Sequence, residues 1–149
     1  MIDDLYSARI LGLAANMPRT GRLAAPDGSG EAVAKLCGSR AVVDVVLDQN
    51  ARIVDFAQTV KACALGQAAA GVLGEVIVGA DVAEVRRARA DMAAMLKSGG
   101  EGPTGRFEGL RALKQVADYP ARHASTLVAL DATLNAIDAA LASRTRRAG

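Results

Sequence analysis

Apolar positions along this chain follow two rhythms, and the change from one to the other divides it into elements. Leu5, Tyr6, Ile10 and Leu13 share a helical face, with Asp3 and Asp4 ahead of them at the end where the helix dipole favours acids. That helix should stop near Asn16-Met17-Pro18, because a residue before proline is pushed out of the helical region. Pro18, Gly21, Pro26, Gly28 and Gly30 then predict an irregular segment over 18–35, with room for one short edge strand.

The rhythm changes at Ala41-Val42-Val43-Asp44-Val45-Val46-Leu47, whose β-branched residues predict a strand. Asp48-Gln49-Asn50-Ala51 makes a turn, and Arg52-Ile53-Val54-Asp55-Phe56-Ala57 returns antiparallel to it. Asp44, Asp48 and Asp55 read as solvated acids of this hairpin and its turn. Helical spacing then resumes. Residues 63–78 are rich in Ala and Gly, which weakens an isolated helix but lets it pack close to a sheet. Asp81, with Glu84 three residues on, opens a helix whose buried face carries Val85, Ala88, Met92 and Met95.

Lys97 to Pro103 reads as a loop, and Leu110, Leu113 and Val116 as a short helix. Pro120 suits a first helical turn, after which His123, Leu127, Leu130, Leu134, Ile137 and Leu141 mark the buried face of the last helix. The predicted fold class is α+β: a small antiparallel sheet of about three strands packed against several helices. At 149 residues the chain is expected to form a single domain, 1–149, with 143–149 a flexible basic tail.

Composition narrows the classes of function. Acids and bases nearly cancel, leaving a formal net charge of +2 and no broad footprint for nucleic acid. No long uncharged apolar run suggests a membrane span, and Met1-Ile2-Asp3-Asp4 lacks the basic and apolar regions of a secretory signal. Two cysteines in such a chain point to a reducing, cytoplasmic setting rather than a disulfide framework. There is no Gly-x-x-x-x-Gly-Lys phosphate loop and no His-Glu-x-x-His zinc motif. The chain is therefore not expected to be an enzyme.

Cys37, Cys63 and the single histidine, His123, remain as candidate chemistry. Cys37 precedes the first strand beside Gly38, Cys63 opens the Ala-rich helix, and His123 lies in the first turn of the last one. A thiol at a helix N-terminus is favoured as thiolate, the form that attacks sulfur or binds metal. Three element ends thus converge at one edge of the sheet in the expected packing. As residues alone, they are equally compatible with buried cysteines and a satisfied core histidine.

The order of several motifs resembles the iron–sulfur cluster assembly scaffold family of the IscU/NifU type. Leu5-Tyr6-Ser7, Ile10-Leu11 and Ala15-Asn16-Met17-Pro18-Arg19-Thr20-Gly21-Arg22-Leu23 are similar to its N-terminal signature, and Pro26-Asp27-Gly28-Ser29-Gly30 continues it. Cys37-Gly38 stands where that family has Cys-Gly-Asp, and Ala62-Cys63-Ala64 where it has Gly-Cys-Ala. Pro120 to Leu127 resembles the start of its last helix.

The resemblance implies transient binding of an iron–sulfur cluster or iron, with zinc as an alternative, through Cys37, Cys63 and His123. It also implies sulfur delivered by a cysteine desulfurase and cargo passed to client iron–sulfur proteins, and it leaves a homodimer open. Two positions depart from the pattern. Ser39 replaces the aspartate after Cys-Gly, and Ala124 occupies the aligned third cysteine, with Ser125 beside it. A [2Fe–2S] cluster ordinarily takes four protein ligands, whereas zinc tolerates three and an open position. A persulfide-accepting role without stable metal, or an interaction protein that keeps only the fold, are the alternatives.

Overall fold

The structure, a computed structural model, describes residues 7–36 and 38–148, the last three of these (146–148) without their side chains. Asp3, Asp4, Leu5, Tyr6 and Cys37 of the expectations above lie outside the described residues.

Helix α1 spans Ala8–Ala15 and is capped by Ser7, whose hydroxyl accepts from the Ile10 N–H at 3.3 Å. It ends where Met17-Pro18 demands, with Asn16 closing onto the Gly12 carbonyl. The chain then runs along the outer edge of the sheet: Gln58 accepts from Gly21 N–H at 2.8 Å and donates to Arg19 carbonyl at 2.9 Å.

Strands β1 (Gly28–Ala34), β2 (Ser39–Leu47) and β3 (Ile53–Lys61) form an antiparallel sheet in sequence order. The expected return strand ends at residue 57; β3 continues to Lys61 because Gln58 to Lys61 find partners along Val43 to Arg40. The turn between them is held by Asp48, whose carboxylate accepts from Asn50 and Arg52 N–H.

Strand β1 owes little to intrinsic propensity. Gly-Ser-Gly-Glu-Ala-Val-Ala is a poor strand sequence, but helix α4 (His123–Ala148) lies directly on it. A Cβ on Gly30 would sit 2.2 Å from Ala136 N and 2.5 Å from Ala132 O. Glycine in β1 facing alanine in α4 is what brings helix and sheet to this separation. Ala41, Val43 and Val45 of β2 are fully buried, as are Ala132, Ala136, Ile137 and Ala140 of α4.

Helix α2 (Ala64–Val76) carries the small residues expected, and α1 packs on it at Gly71, where a Cβ would meet the Leu13 carbonyl at 2.4 Å. Helix α3 (Val82–Ser98) opens with the predicted capping box between Asp81 and Glu84 and closes on Gly99 at φ 72°. The expected short helix is a longer 3₁₀ segment, Gly105–Asp118, burying Phe107, Leu110, Leu113 and Val116. Their spacing of three matches the 3₁₀ period, in which i and i+3 eclipse. A 3₁₀ turn, Pro120–Arg122, leads into α4.

One expectation changes here. Asp44 is not solvated: its side chain is fully buried on β2, because Arg22, Leu23 and Ser29 fold over it and supply hydrogen bonds. The stretch Pro120–Thr145 is long and apolar enough to cross a bilayer, yet 61% of its apolar window is buried inside the molecule, where it completes the core. The residues from 143 are helical as far as Ala148, and Arg144 donates to the Leu47 carbonyl at 2.7 Å.

Candidate thiol site

The start of β2, the N-terminus of α2 and the first turn of α4 meet at one end of the sheet. Cys63 is the N-cap residue of α2, extended at φ −65° and ψ 169°, so its side chain stands over the first helical N–H groups. Ser125, from α4, places its Oγ 3.3 Å from Cys63 Sγ. Ser39, from the first position of β2, places its Oγ 2.8 Å from Ser125 Oγ. Gly66 makes this approach feasible, since a Cβ there would lie 2.7 Å from the Ser125 carbonyl oxygen.

Cys63, Ser125, Ala121, Arg122 and Leu36 line an open pocket of about 250 Å³ at this junction. Cys63 is half-buried and in no disulfide. Burial pushes its pKa up, but the Ser125 hydroxyl, the Gly66 and Leu65 N–H groups and the Arg122 side chain together outweigh that and hold it below the usual thiol value. The helix N–H groups act by proximity, without closing a side-chain cap hydrogen bond. The arrangement favours a thiolate that is both stabilised and reachable.

His123 has other partners. It is 8% exposed, and its Nε2 donates to the Val116 carbonyl at 3.0 Å and faces that of Ala117 at 3.3 Å, tying α4 to the preceding 3₁₀ segment. With carbonyl partners, Nε2 must carry the proton. His123 is not among the residues lining the Cys63 pocket. Ala124, the position aligned with a third cysteine, is exposed, and Ser125 is the residue that faces Cys63.

Of the expected set, then, the described residues bring Cys63 to the site, Cys37 lies outside them, and Ser39 and Ser125 are the neighbours sequence reading did not select. Among the described residues no three His, Cys, Asp or Glu side chains are grouped to hold a metal ion. One thiol and two neutral hydroxyls do not by themselves fit a resident cluster, which takes four ligands.

The chain belongs to the NifU-like N-terminal domain family, whose model matches residues 5–126. It is an iron–sulfur cluster assembly scaffold family, and non-catalytic.

The chain is similar to the N-terminal domain of a nitrogen-fixing NifU-like protein from Brucella abortus, at 45% identity and TM-score 0.91, covering 95% of this chain and 97% of that one. Its fold is also that of a putative iron–sulfur cluster assembly scaffold protein for the SUF system from Fervidobacterium islandicum, at 22% identity and TM-score 0.80, covering 89% and 96%. No curated protein matches it.

Proposed function

We propose that this chain serves iron–sulfur cluster assembly as a sulfur-receiving scaffold, with the Cys63 thiolate as the acceptor and Cys37 as the second thiol. The observation that supports this reading is the position of Cys63 Sγ at the α2 N-terminus, 3.3 Å from Ser125 Oγ and beside a pocket bordered by Arg122. The thiolate attacks the outer sulfur of a persulfide on a cysteine desulfurase. A new S–S bond forms at Cys63, the donor's S–S bond breaks, and the donor cysteine leaves as thiolate. The sulfur moves with its oxidation level unchanged, so no further oxidant or reductant enters that step. Two electrons from an external reductant, a dithiol or an electron-transfer protein, then release that sulfur as sulfide and return Cys63 to the thiolate; iron and this sulfide, held on the two thiols, are cargo for client proteins, with remaining ligands borrowed from a second protomer, a partner or a small thiol.

A transient iron or zinc ion on Cys37, Cys63 and His123 is the second reading, favoured by family membership. It requires His123 to offer a nitrogen to the site while Nε2 is engaged with Val116. A reducing cytoplasm, which keeps both thiols free, is the setting for either.

The test is incubation of the chelator-treated protein with a cysteine desulfurase and cysteine, followed by mass spectrometry of trapped persulfides. Sulfur on Cys63, absent from Cys63→Ala and kept by His123→Ala, is the expected result. Sulfur on Cys37 alone would overturn Cys63 as the acceptor and move that role to Cys37, and none on either thiol with iron or zinc retained by the untreated protein would replace it with the metal reading.

A further inference from the structure

Two buried hydroxyls stand behind the Cys63 sulfur, and neither is needed to fill space. Ser125 is 1% exposed and Ser39 is 3% exposed, and they come from α4 and β2, 86 residues apart in sequence. Alanine at either position would occupy nearly the same volume with no hydroxyl to desolvate. Their value lies in what they are bonded to.

Proton bookkeeping gives the line of hydroxyls a direction. Each serine has one proton to donate and lone pairs to accept with. When Cys63 is ionised it can only accept, so Ser125 then spends its proton on Cys63 Sγ, and its oxygen is free to accept from Ser39 at 2.8 Å. The line runs from Ser39 through Ser125 to Cys63. Ser125 is itself fixed from the other side, because its backbone carbonyl and its Oγ crowd Gly66, at 2.7 and 3.0 Å from where a Cβ would be. Sulfur, serine and helix N-terminus are thereby locked in one relation at a pocket that also carries Arg122 and the 88% exposed Leu36.

We propose that Ser125, oriented by Ser39, is a positioning residue that holds the Cys63 sulfur at the pocket mouth and makes it the thiol that accepts sulfur. The last part rests on the sulfur-receiving function above; the positioning of the sulfur does not, and the two are tested separately.

The first measurement is the rate of iodoacetamide alkylation at Cys63, read by peptide mass spectrometry on the full chain, in Ser125→Ala, Ser125→Thr and Ser39→Ala. A charge-assisted hydrogen bond to sulfur is lost in Ser125→Ala, while a less stabilised thiolate is intrinsically the stronger nucleophile. The two effects partly cancel, so alkylation should slow by about threefold. Ser125→Thr keeps the hydroxyl and should return most of the rate, and Ser39→Ala should show a smaller slowing. Thermal unfolding of each variant establishes that it is folded; if Ser125→Ala is not, the comparison of Ser39→Ala with wild type decides. A wild-type rate in the folded Ala variants, or a Thr variant as slow as Ala, overturns the proposal.

The second measurement repeats the persulfide transfer with the same variants. A lower yield on Cys63 in Ser125→Ala, recovered in Ser125→Thr, supports the acceptor role. If wild type takes no sulfur at Cys63 while the alkylation pattern holds, the sulfur-receiving function fails and the positioning role stands. If wild type takes sulfur there and Ser125→Ala does so equally well, the function stands and the acceptor role of Ser125 is overturned.

Discussion

The buried carboxylate of Asp44 receives two hydrogen bonds from the guanidinium of Arg22, at 2.7 Å from Nε and 3.0 Å from Nη2. Leu23 N–H at 3.0 Å and the Ser29 hydroxyl at 2.5 Å complete its partners, so one acid staples the irregular segment and β1 to the outer face of β2. Hydrogen bonding from Arg22 leads in lowering the Asp44 pKa from 3.8 to about 2; burial opposes it, and Ser29 and Leu23 assist. A depressed folded pKa stabilises the fold above the unfolded value, and that contribution fades as pH falls from about 4 towards 2. With Arg22 more than half exposed, it is worth on the order of 1 to 2 kcal/mol. Asp44→Asn should therefore cost about 2 kcal/mol in urea unfolding at neutral pH and much less near pH 2. An equal cost at both pH values would show that the charge is not what holds the segment.

Gly30 and Gly12 make opposite forecasts for the same substitution. A methyl on Gly30 meets the α4 backbone at 2.2 Å, where nothing flexible can give way, and Gly30→Ala should cost about 3 kcal/mol. A methyl on Gly12, inside α1, meets nothing within 4 Å, and Gly12→Ala should gain about 0.5 to 1 kcal/mol. Urea midpoints of the two variants measure the difference. Similar midpoints would mean that α4 does not press on β1 this closely.

Arg106 closes the C-terminal end of α2. Its Nη1 donates to the carbonyls of Val76 at 3.0 Å and Val78 at 3.2 Å, Nη2 to Gly79 at 3.4 Å, and Nε to Glu84 at 2.9 Å. Orphan carbonyls at a helix end need such donors, and one ammonium cannot span four acceptors as a planar fork does. Arg106→Lys should cost about 1 kcal/mol, nearly as much as Arg106→Ala. A lysine variant as stable as wild type in the same denaturation assay would contradict this.

What the sequence disclosed follows from where local and tertiary effects agree. Strand β2 and helix α3 were legible because a β-branched run and an Asp81–Glu84 capping box state their own structure. β1 was scarcely legible, since Gly28 and Gly30 become strand only when Ala132, Ala136 and Ala140 of a helix a hundred residues later lie on them. Leu110, Leu113 and Val116 announce a short helix, and their spacing of three, which Phe107 extends, belongs to the 3₁₀ segment that forms. At the site, Cys63 was found from its helix N-terminus. Ser125 enters the sequence reading only as the neighbour of Ala124. Consecutive helical residues differ by about 100° in direction, so Ala124 faces out while Ser125 faces Cys63. Its signal is a stripe of smaller residues beside the larger leucines: Ser125 leads Val128, Ala129 and Ala132 at offsets of three, four and seven, all buried.

His123 separates the two functional readings by structure as well as by chemistry. Its Nε2 bond to the Val116 carbonyl anchors the 3₁₀ segment under α4, and removing a buried donor leaves that carbonyl to find another partner. His123→Ala should therefore lower stability by about 1 to 2 kcal/mol in urea while leaving the thiol chemistry at Cys63 intact. His123→Gln, which can still donate to Val116, should recover part of the loss. Elemental analysis of anaerobically purified protein supplies the contrasting outcome. Zinc or iron near one per chain in wild type, lost in both His123→Ala and Cys63→Ala but with stability little changed in the former, would make His123 a ligand rather than an anchor. Unchanged metal content in His123→Ala, together with the stability loss, is the result expected of an anchor: Nε2 is committed to Val116, and the lone pair left on Nδ1 belongs to a side chain that does not line the Cys63 pocket.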